Sequence, residues 1–280
     1  MGATIAVKAK PLSPQSSVLS PIGIFDSGVG GLTVFREIAR ALPHHPLIYL
    51  GDSARVPYGT KSPQTVIRYS LEAANHLLGR GIEMLVVACN TATAAALPTL
   101  KERLSIPVIG VIEPGARAAV ERTRGHVGVI ATEGTVKSKA YTNAIRALAP
   151  EVQVTESPAP LFVPLAEEGW ANTHVAREVA EIYLEPLIDA GIDTLVLGCT
   201  HYPILRGTIE KVVGETVQIV DSAETTAQCV AAASRRRPAG RRGGVPPPHT
   251  FLVTDAEERF RRIAGEFLDH EIERLELVTL

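Results

Sequence analysis

The chain has 280 residues, 45% hydrophobic and 21% charged, and its 28 basic residues nearly balance 30 acidic ones for a net charge of −2. This is ordinary globular composition, long enough for one large domain or two of moderate size, and it excludes a general polyanion binder. Cys89, Cys199 and Cys229 are too few and too far apart for a disulfide framework and indicate a reducing, cytoplasmic compartment; no apolar run approaches the ~18 residues of a membrane span.

The first 21 residues, MGATIAVKAKPLSPQSSVLSP, lack both the charged start and the apolar stretch of a signal peptide, and Ala6 breaks the myristoylation pattern. They are expected to form a flexible tail outside the fold. From residue 22 onward, short β-branched runs alternate with amphipathic stretches. Candidate strands are 22–27, 47–52, 84–89, 107–111, 127–132, 152–157, 194–199, 217–222, 250–255 and 275–280. Their continuous apolar character predicts strands buried on both faces of mostly parallel sheets. The intervening stretches carry helix starts such as Ser62-Pro63, an N-cap followed by proline at the first helical position. A βαβα alternation of this kind predicts α/β layers with right-handed crossovers.

One segment breaks the rhythm. RRRPAGRRGGVPPPH (235–249) carries five arginines followed by glycine and proline. Without interleaved aromatic residues for base stacking, it reads as a solvated loop rather than a nucleic-acid site.

The chain also repeats itself. GIEMLVVACNT (81–91) and GIDTLVLGCTH (191–201) align without a gap, and their cysteines are 110 residues apart. IGIFDSGVGGLT (22–33) resembles VGVIATEGTVKS (127–138) at an offset of 105. Two similar α/β halves are therefore expected, each placing a cysteine at the carboxyl end of a buried strand, where open α/β sheets bind ligands. Either cysteine alone could be a small buried hydrophobe; two at matched positions, each followed by polar residues, favour function. Cys229, in TAQCVAAA, has nothing reactive beside it and is expected in the core.

A cysteine acts as base or nucleophile as its thiolate, a few per cent of a free thiol at neutral pH, so each thiol needs a proton partner. His201 stands two residues after Cys199, and Asp26 ends the first strand at the sheet edge that Cys89 shares. Two bases on opposite faces of one carbon suit stereoinversion. A hydrolase needs one nucleophile with a base and an oxyanion hole, and a disulfide oxidoreductase is expected to carry Cys-x-x-Cys. A metal site built on Cys89, Cys199 and His201 lacks a fourth ligand of suitable spacing.

The remaining polar clusters look like a cradle for an amino acid. Asp26 and Ser27 precede Gly28, Gly30 and Gly31, whose expected role is to let the backbone approach a ligand at the start of a helix near Leu32. Thr33 stands where a dinucleotide fingerprint needs glycine, and no phosphate loop is present. Pro57-Tyr58-Gly59, Asn90-Thr91, Thr132, Thr135 and Thr200-His201 all follow predicted strands and should gather at one sheet edge.

At these residues the resemblance becomes specific. FDSGVGG, GDSARVPYG, ACNTATA, PVIGVIEPGA, ATEGT and LGCTHYP, in this order, resemble bacterial glutamate racemases from Pro21 to Leu280. The resemblance implies two pseudo-symmetric three-layer α/β domains with the active site in the cleft between them. The first would comprise 22–114 and 223–280, the second 115–222, with the tail before residue 22. It implies cofactor-independent and metal-independent interconversion of L- and D-glutamate for peptidoglycan synthesis, in the cytoplasm, without membrane or nucleic-acid partners. A homodimer is the expected assembly. Carried over by motif, Cys89 would take the proton from D-glutamate and Cys199 from L-glutamate, assisted by Asp26 and His201 respectively. Asp26, Ser27, Tyr58, Gly59, Asn90, Thr91, Thr132, Thr135, Thr200 and His201 would bind substrate. Glu167, in PLAEEGW, would lie near the second thiol, although a solvated helix turn explains it equally well. Aspartate-specific relatives tend to carry an acidic residue where His201 stands, so this residue favours glutamate.

Overall fold

The structure, a computed structural model, describes residues 19–235, 248–272 and 274–280. Most of the expected tail and residues 236–247 of the arginine-rich segment lie outside the described residues.

All ten predicted strands form. They are β1 (Ile22–Asp26), β2 (Leu47–Gly51), β3 (Met84–Val87), β4 (Val108–Gly110), β5 (His126–Ala131), β6 (Gln153–Pro158), β7 (Thr194–Gly198), β8 (Gln218–Asp221), β9 (Thr250–Val253) and β10 (Leu275–Leu277). The helices are α1 (Leu32–Ala41), α2 (Pro63–Gly79), α3 (Asn90–Arg103), α4 (Ile112–Arg122), α5 (Glu133–Ser138) and α6 (Ala140–Leu148), followed by α7 (Phe162–Glu167), α8 (His174–Asp189), α9 (Arg206–Val213), α10 (Ser222–Arg235) and α11 (Glu257–Leu268). Short polar side chains start several of them. Ser62 caps α2 by accepting from Thr65 N, with Pro63 next, and Thr132 and Thr173 cap α5 and α8 in the same way.

The strands build two sheets, in the orders β10-β9-β2-β1-β3-β4 and β6-β5-β7-β8, with parallel pairing throughout. The run β2-β1-β3-β4 has the topology of β6-β5-β7-β8, which is the internal repeat written in space. Alternate residues of each strand feed different cores. Ile24, Tyr49 and Val86 join a core that also takes in Ile130, Leu195 and Leu197, whereas Phe25, Leu50 and Val87 join another. On the other face of the second sheet, Val129, Val196 and Val220 form a third core. Both faces of both sheets are covered, giving the expected three layers in each half and explaining the uninterrupted apolar strands.

The repeated sequences owe their likeness to one packing unit. Gly81 and Gly191, each with φ +77°, end α2 and α8 in the left-handed conformation that glycine tolerates. The isoleucines that follow then lie over glycines in the first strand of each half. A Cβ on Gly23 would come 2.8 Å from Ile82 Cδ1, and one on Gly128 would come 2.7 Å from Ile192 Cδ1.

Three expectations need correction. Strands β6 and β10 stand at sheet edges, with no strand of the described residues on their outer side, and are partly to mostly exposed. Strands β3 and β7 stop before their cysteines: Cys89 caps α3 and Cys199 stands in the bend after β7. Cys229, on α10, is partly exposed rather than in the core.

Candidate active site

The carboxyl ends of β1 and β3 lie at the point where the chain turns to opposite sides of the first sheet, and those of β5 and β7 do so in the second. These four ends meet. Asp26, ending β1 and fully buried, accepts hydrogen bonds from Gly28 N at 2.9 Å and, across the seam, from Thr200 Oγ1 at 3.4 Å. Thr33 Oγ1 donates to the Thr200 carbonyl at 2.9 Å. On the other flank, Thr91 Oγ1 lies 2.9 Å from Thr132 Oγ1, which in turn lies 3.0 Å from Thr135 Oγ1. Gly59 joins them, because a Cβ there would come 2.9 Å from Thr132 Cβ.

Cys89 and Cys199 are both buried within this seam, and Cys89 lies within electrostatic reach of Cys199. Their surroundings differ. Cys89 is the N-cap of α3, where its Sγ accepts from Ala92 N at 3.4 Å, so the helix terminus faces the sulfur. Its Sγ also lies 3.5 Å from Ser27 Oγ. Burial, reinforced by the nearby Asp26 charge, nevertheless pushes the thiol up to about 12. Asp26 acts on Cys89 through its charge, since its oxygens are committed to the Gly28 amide, the Gly31 amide and Thr200; burial raises its own pKa.

Cys199 Sγ lies 3.8 Å from His201 Nδ1, and His201 Nε2 lies 3.0 Å from Glu167 Oε1. Burial favours the neutral imidazole, but the Cys199 sulfur and the Glu167 carboxylate outweigh it and lift His201 to about 10. Glu167 Oε2 accepts from Arg259 Nη2 of α11 at 3.0 Å, and Phe267 meets the His201 ring edge-on.

The residues named from sequence are thus brought to one seam, with two departures. Tyr58 is buried and its hydroxyl donates to Asp52 rather than facing the cleft, leaving the turn at Gly59 as the part next to Thr132. Gly30 and Gly31 make room for protein rather than for ligand. A Cβ on Gly30 would lie 2.4 Å from Thr200 Oγ1 and from His201 Nδ1, and one on Gly31 2.5 Å from Asp26 Cβ.

Sequence reasoning missed Tyr49 and Asp52. Tyr49 Oη donates to the Gly28 carbonyl at 2.9 Å and pins the Asp26 loop. A tyrosine in an otherwise aliphatic buried strand signals such a partner. Asp52, fully buried, holds Arg55, Tyr58 and Thr254 together. Among the described residues, no group of three or more His, Cys, Asp or Glu could hold a metal ion, and no helix is long and apolar enough to cross a membrane.

Twin parallel sheets of one repeated topology, flanked by helices, define an α/β protein of two similar halves. The family model described as Asp/Glu/Hydantoin racemase matches residues 22–230. The chain belongs to this family, within its glutamate racemase branch. It is 55% identical over 264 residues to the glutamate racemase of Geobacter metallireducens, covering 92% of this chain and 96% of that one. The crystal structure of a Bacillus anthracis glutamate racemase matches with a TM-score of 0.89 at 42% identity, over 93% of this chain and 98% of that one. The Francisella tularensis glutamate racemase, solved in complex with D-glutamate, matches with a TM-score of 0.87 at 36% identity, over 93% and 97% of the two chains.

Proposed function

We propose that this amino-acid racemase inverts glutamate with two facing thiols, and that Cys89 and Cys199 are its bases. The observation that carries the reading is their equivalence: each follows the same strand of the repeated sheet, and both sit in the seam between the halves. In the D-to-L direction the Cys89 thiolate takes the α-proton, and the Cys199 thiol delivers its own proton to the opposite face. The products are L-glutamate, a Cys89 thiol and a Cys199 thiolate, so proton count and charge balance. The reverse direction exchanges the roles.

The two thiolates have different supports. Helix α3 and Ser27 face Cys89. The imidazolium of His201, backed by Glu167, faces Cys199. Asp26 joins the halves through Thr200 and orders the Gly28 loop beside Cys89. Asn90, Thr91, Thr132, Thr135, Thr200, Ser27 and the Tyr58-Gly59 turn provide neutral hydrogen-bonding groups for the carboxylates and ammonium of glutamate. Fixed donors in a water-poor site stabilise charge that develops on the α-carboxylate as the proton leaves.

The same reading divides the chain into a first domain of 22–114 and 223–280 and a second of 115–222. It makes the protein a cytoplasmic, cofactor-independent homodimer that supplies D-glutamate for peptidoglycan. Incubation of purified protein with L-glutamate in D₂O, without added cofactor, should give D-glutamate carrying deuterium at the α-carbon. A strict requirement for pyridoxal phosphate, or inversion with retention of the α-proton, would falsify the scheme.

A further inference from the structure

The second glycine of PVIGVIEPGA and the glycine of LGCTH take no part in proton transfer, and both point to one side chain. A Cβ on Gly198 would lie 3.0 Å from Tyr141 Cε2, and one on Gly115 would lie 3.4 Å from Tyr141 Cε1 and from its hydroxyl. The two glycines frame the ring of Tyr141, which comes from α6 and is fully buried. Its hydroxyl crosses to the other half and donates to Asn90 Oδ1 at 2.8 Å. Ser222, nearby on α10, donates its own hydroxyl proton to the Leu197 carbonyl, and the phenol proton of Tyr141 goes to Asn90.

Asn90 directly follows Cys89, begins α3 and is 2% exposed. With its oxygen held by Tyr141, its Nδ2 carries two N–H donors and is buried without a hydrogen-bond partner. A buried unpaired donor is destabilising, and native proteins retain few of them outside functional sites. A carboxylate oxygen of the substrate is the acceptor that such an amide fits.

We propose that Tyr141 is a positioning residue for substrate: by holding Asn90 Oδ1 it keeps both amide N–H groups of Asn90 turned toward the glutamate bound between Cys89 and Cys199. The inference rests on the reading of the seam as the glutamate site. Tyr141 touches neither thiol, so it acts on binding rather than on proton transfer. Its reach from α6 to α3 also means that the amide is held only while the halves are apposed.

The test is Tyr141→Phe, which keeps the ring between its two glycines and removes only the hydroxyl. The expected result is a KM for L- and D-glutamate raised about tenfold, the equivalent of about 1.4 kcal/mol, with kcat changed less than about threefold. In an Asn90→Ala background the same substitution should leave the Kd for D-glutamate, read by calorimetry, unchanged. A KM within about twofold of the parent, or an equal loss of affinity in the Asn90→Ala background, overturns the role. Failure of the parent protein to racemise glutamate would instead overturn the reading of the site.

Discussion

His201 and Glu167 form a partly buried ion pair, Nε2 to Oε1 3.0 Å, on the side of the imidazole away from Cys199. The pair joins the loop after β7 to the end of α7, and Arg259 of α11 closes the carboxylate's other oxygen at 3.0 Å. Removing the carboxylate charge by Glu167→Gln should make the imidazolium easier to deprotonate and the Cys199 thiolate harder to hold. We expect kcat/KM to fall about tenfold or more, within the range of one general acid–base group, and the alkaline limb of the pH profile to move down. Because the products are enantiomers of equal free energy, kcat/KM must fall equally in both directions. An unchanged pH–rate profile would assign Glu167 a structural role alone.

Stability should carry the same signature. His201 is lifted to about 10 in the folded protein, against about 6.5 for an ordinary imidazole. A raised pKa means that the folded state binds the proton more tightly, so the stabilisation is complete below about pH 6.5 and is lost as pH rises through about 10. Thermal unfolding followed across this window should show a falling Tm, and His201→Asn should flatten that slope. Cys89, pushed up to about 12, adds a further decline above the ordinary thiol pKa of about 8.5, because the unfolded thiol ionises first.

Single-thiol variants separate the faces. Cys89→Ala and Cys199→Ala should each lower racemisation by a factor of about 10² to 10⁴ or more, since each deletes one of the two bases. Exchange at one face should survive. In D₂O, Cys199→Ala should wash deuterium into D-glutamate without inversion, and Cys89→Ala into L-glutamate; proton NMR reads both. Full racemisation in either variant contradicts the two-base scheme, and the opposite pattern of exchange reverses the assignment of faces.

Glycine substitutions separate fit from chain entropy. Gly30→Ala places a methyl group 2.4 Å from Thr200 Oγ1 and His201 Nδ1, so the loops after β1 and β7 cannot both keep their places. Activity should fall at least about a hundredfold, as expected when reacting groups shift by about an ångström. Gly79→Ala, at the end of α2 with open space around the new atom, should instead stabilise the protein by about 0.4–1 kcal/mol. Denaturant titration and racemisation assays on the two variants give the comparison.

Tyr58→Phe tests the support beneath the Gly59 turn. Deleting the hydroxyl leaves the fully buried Asp52 with Arg55 and Thr254 but without one of its donors. A loss of about 1–3 kcal/mol in unfolding free energy is expected, since a hydrogen bond to a buried charge is removed. No loss on equilibrium denaturation would show that Arg55 and Thr254 suffice.

Much of this protein was legible in its sequence, for local reasons. Ten β-branched runs, caps such as Ser62 and left-handed turns such as those at Gly81 and Gly191 depend on neighbours in the chain. The repeat exposed the twin sheets because Ile82 over Gly23 and Ile192 over Gly128 are one packing solution used twice. The two thiols were visible for the same reason, Cys199 directly following its strand and Cys89 one residue further on from its own.

What only the tertiary structure decided lies between residues far apart in sequence. Gly30 looked like a ligand loop until the second half placed Thr200 and His201 against it. Glu167 could have been a solvated turn, and Tyr141 any core aromatic, until the fold set one beside His201 and the other beside Asn90. Chain order determines strands, turns and caps through local sterics and hydrogen bonds. The partners of a buried charge or amide are set by how the two halves meet, and no local pattern encodes that.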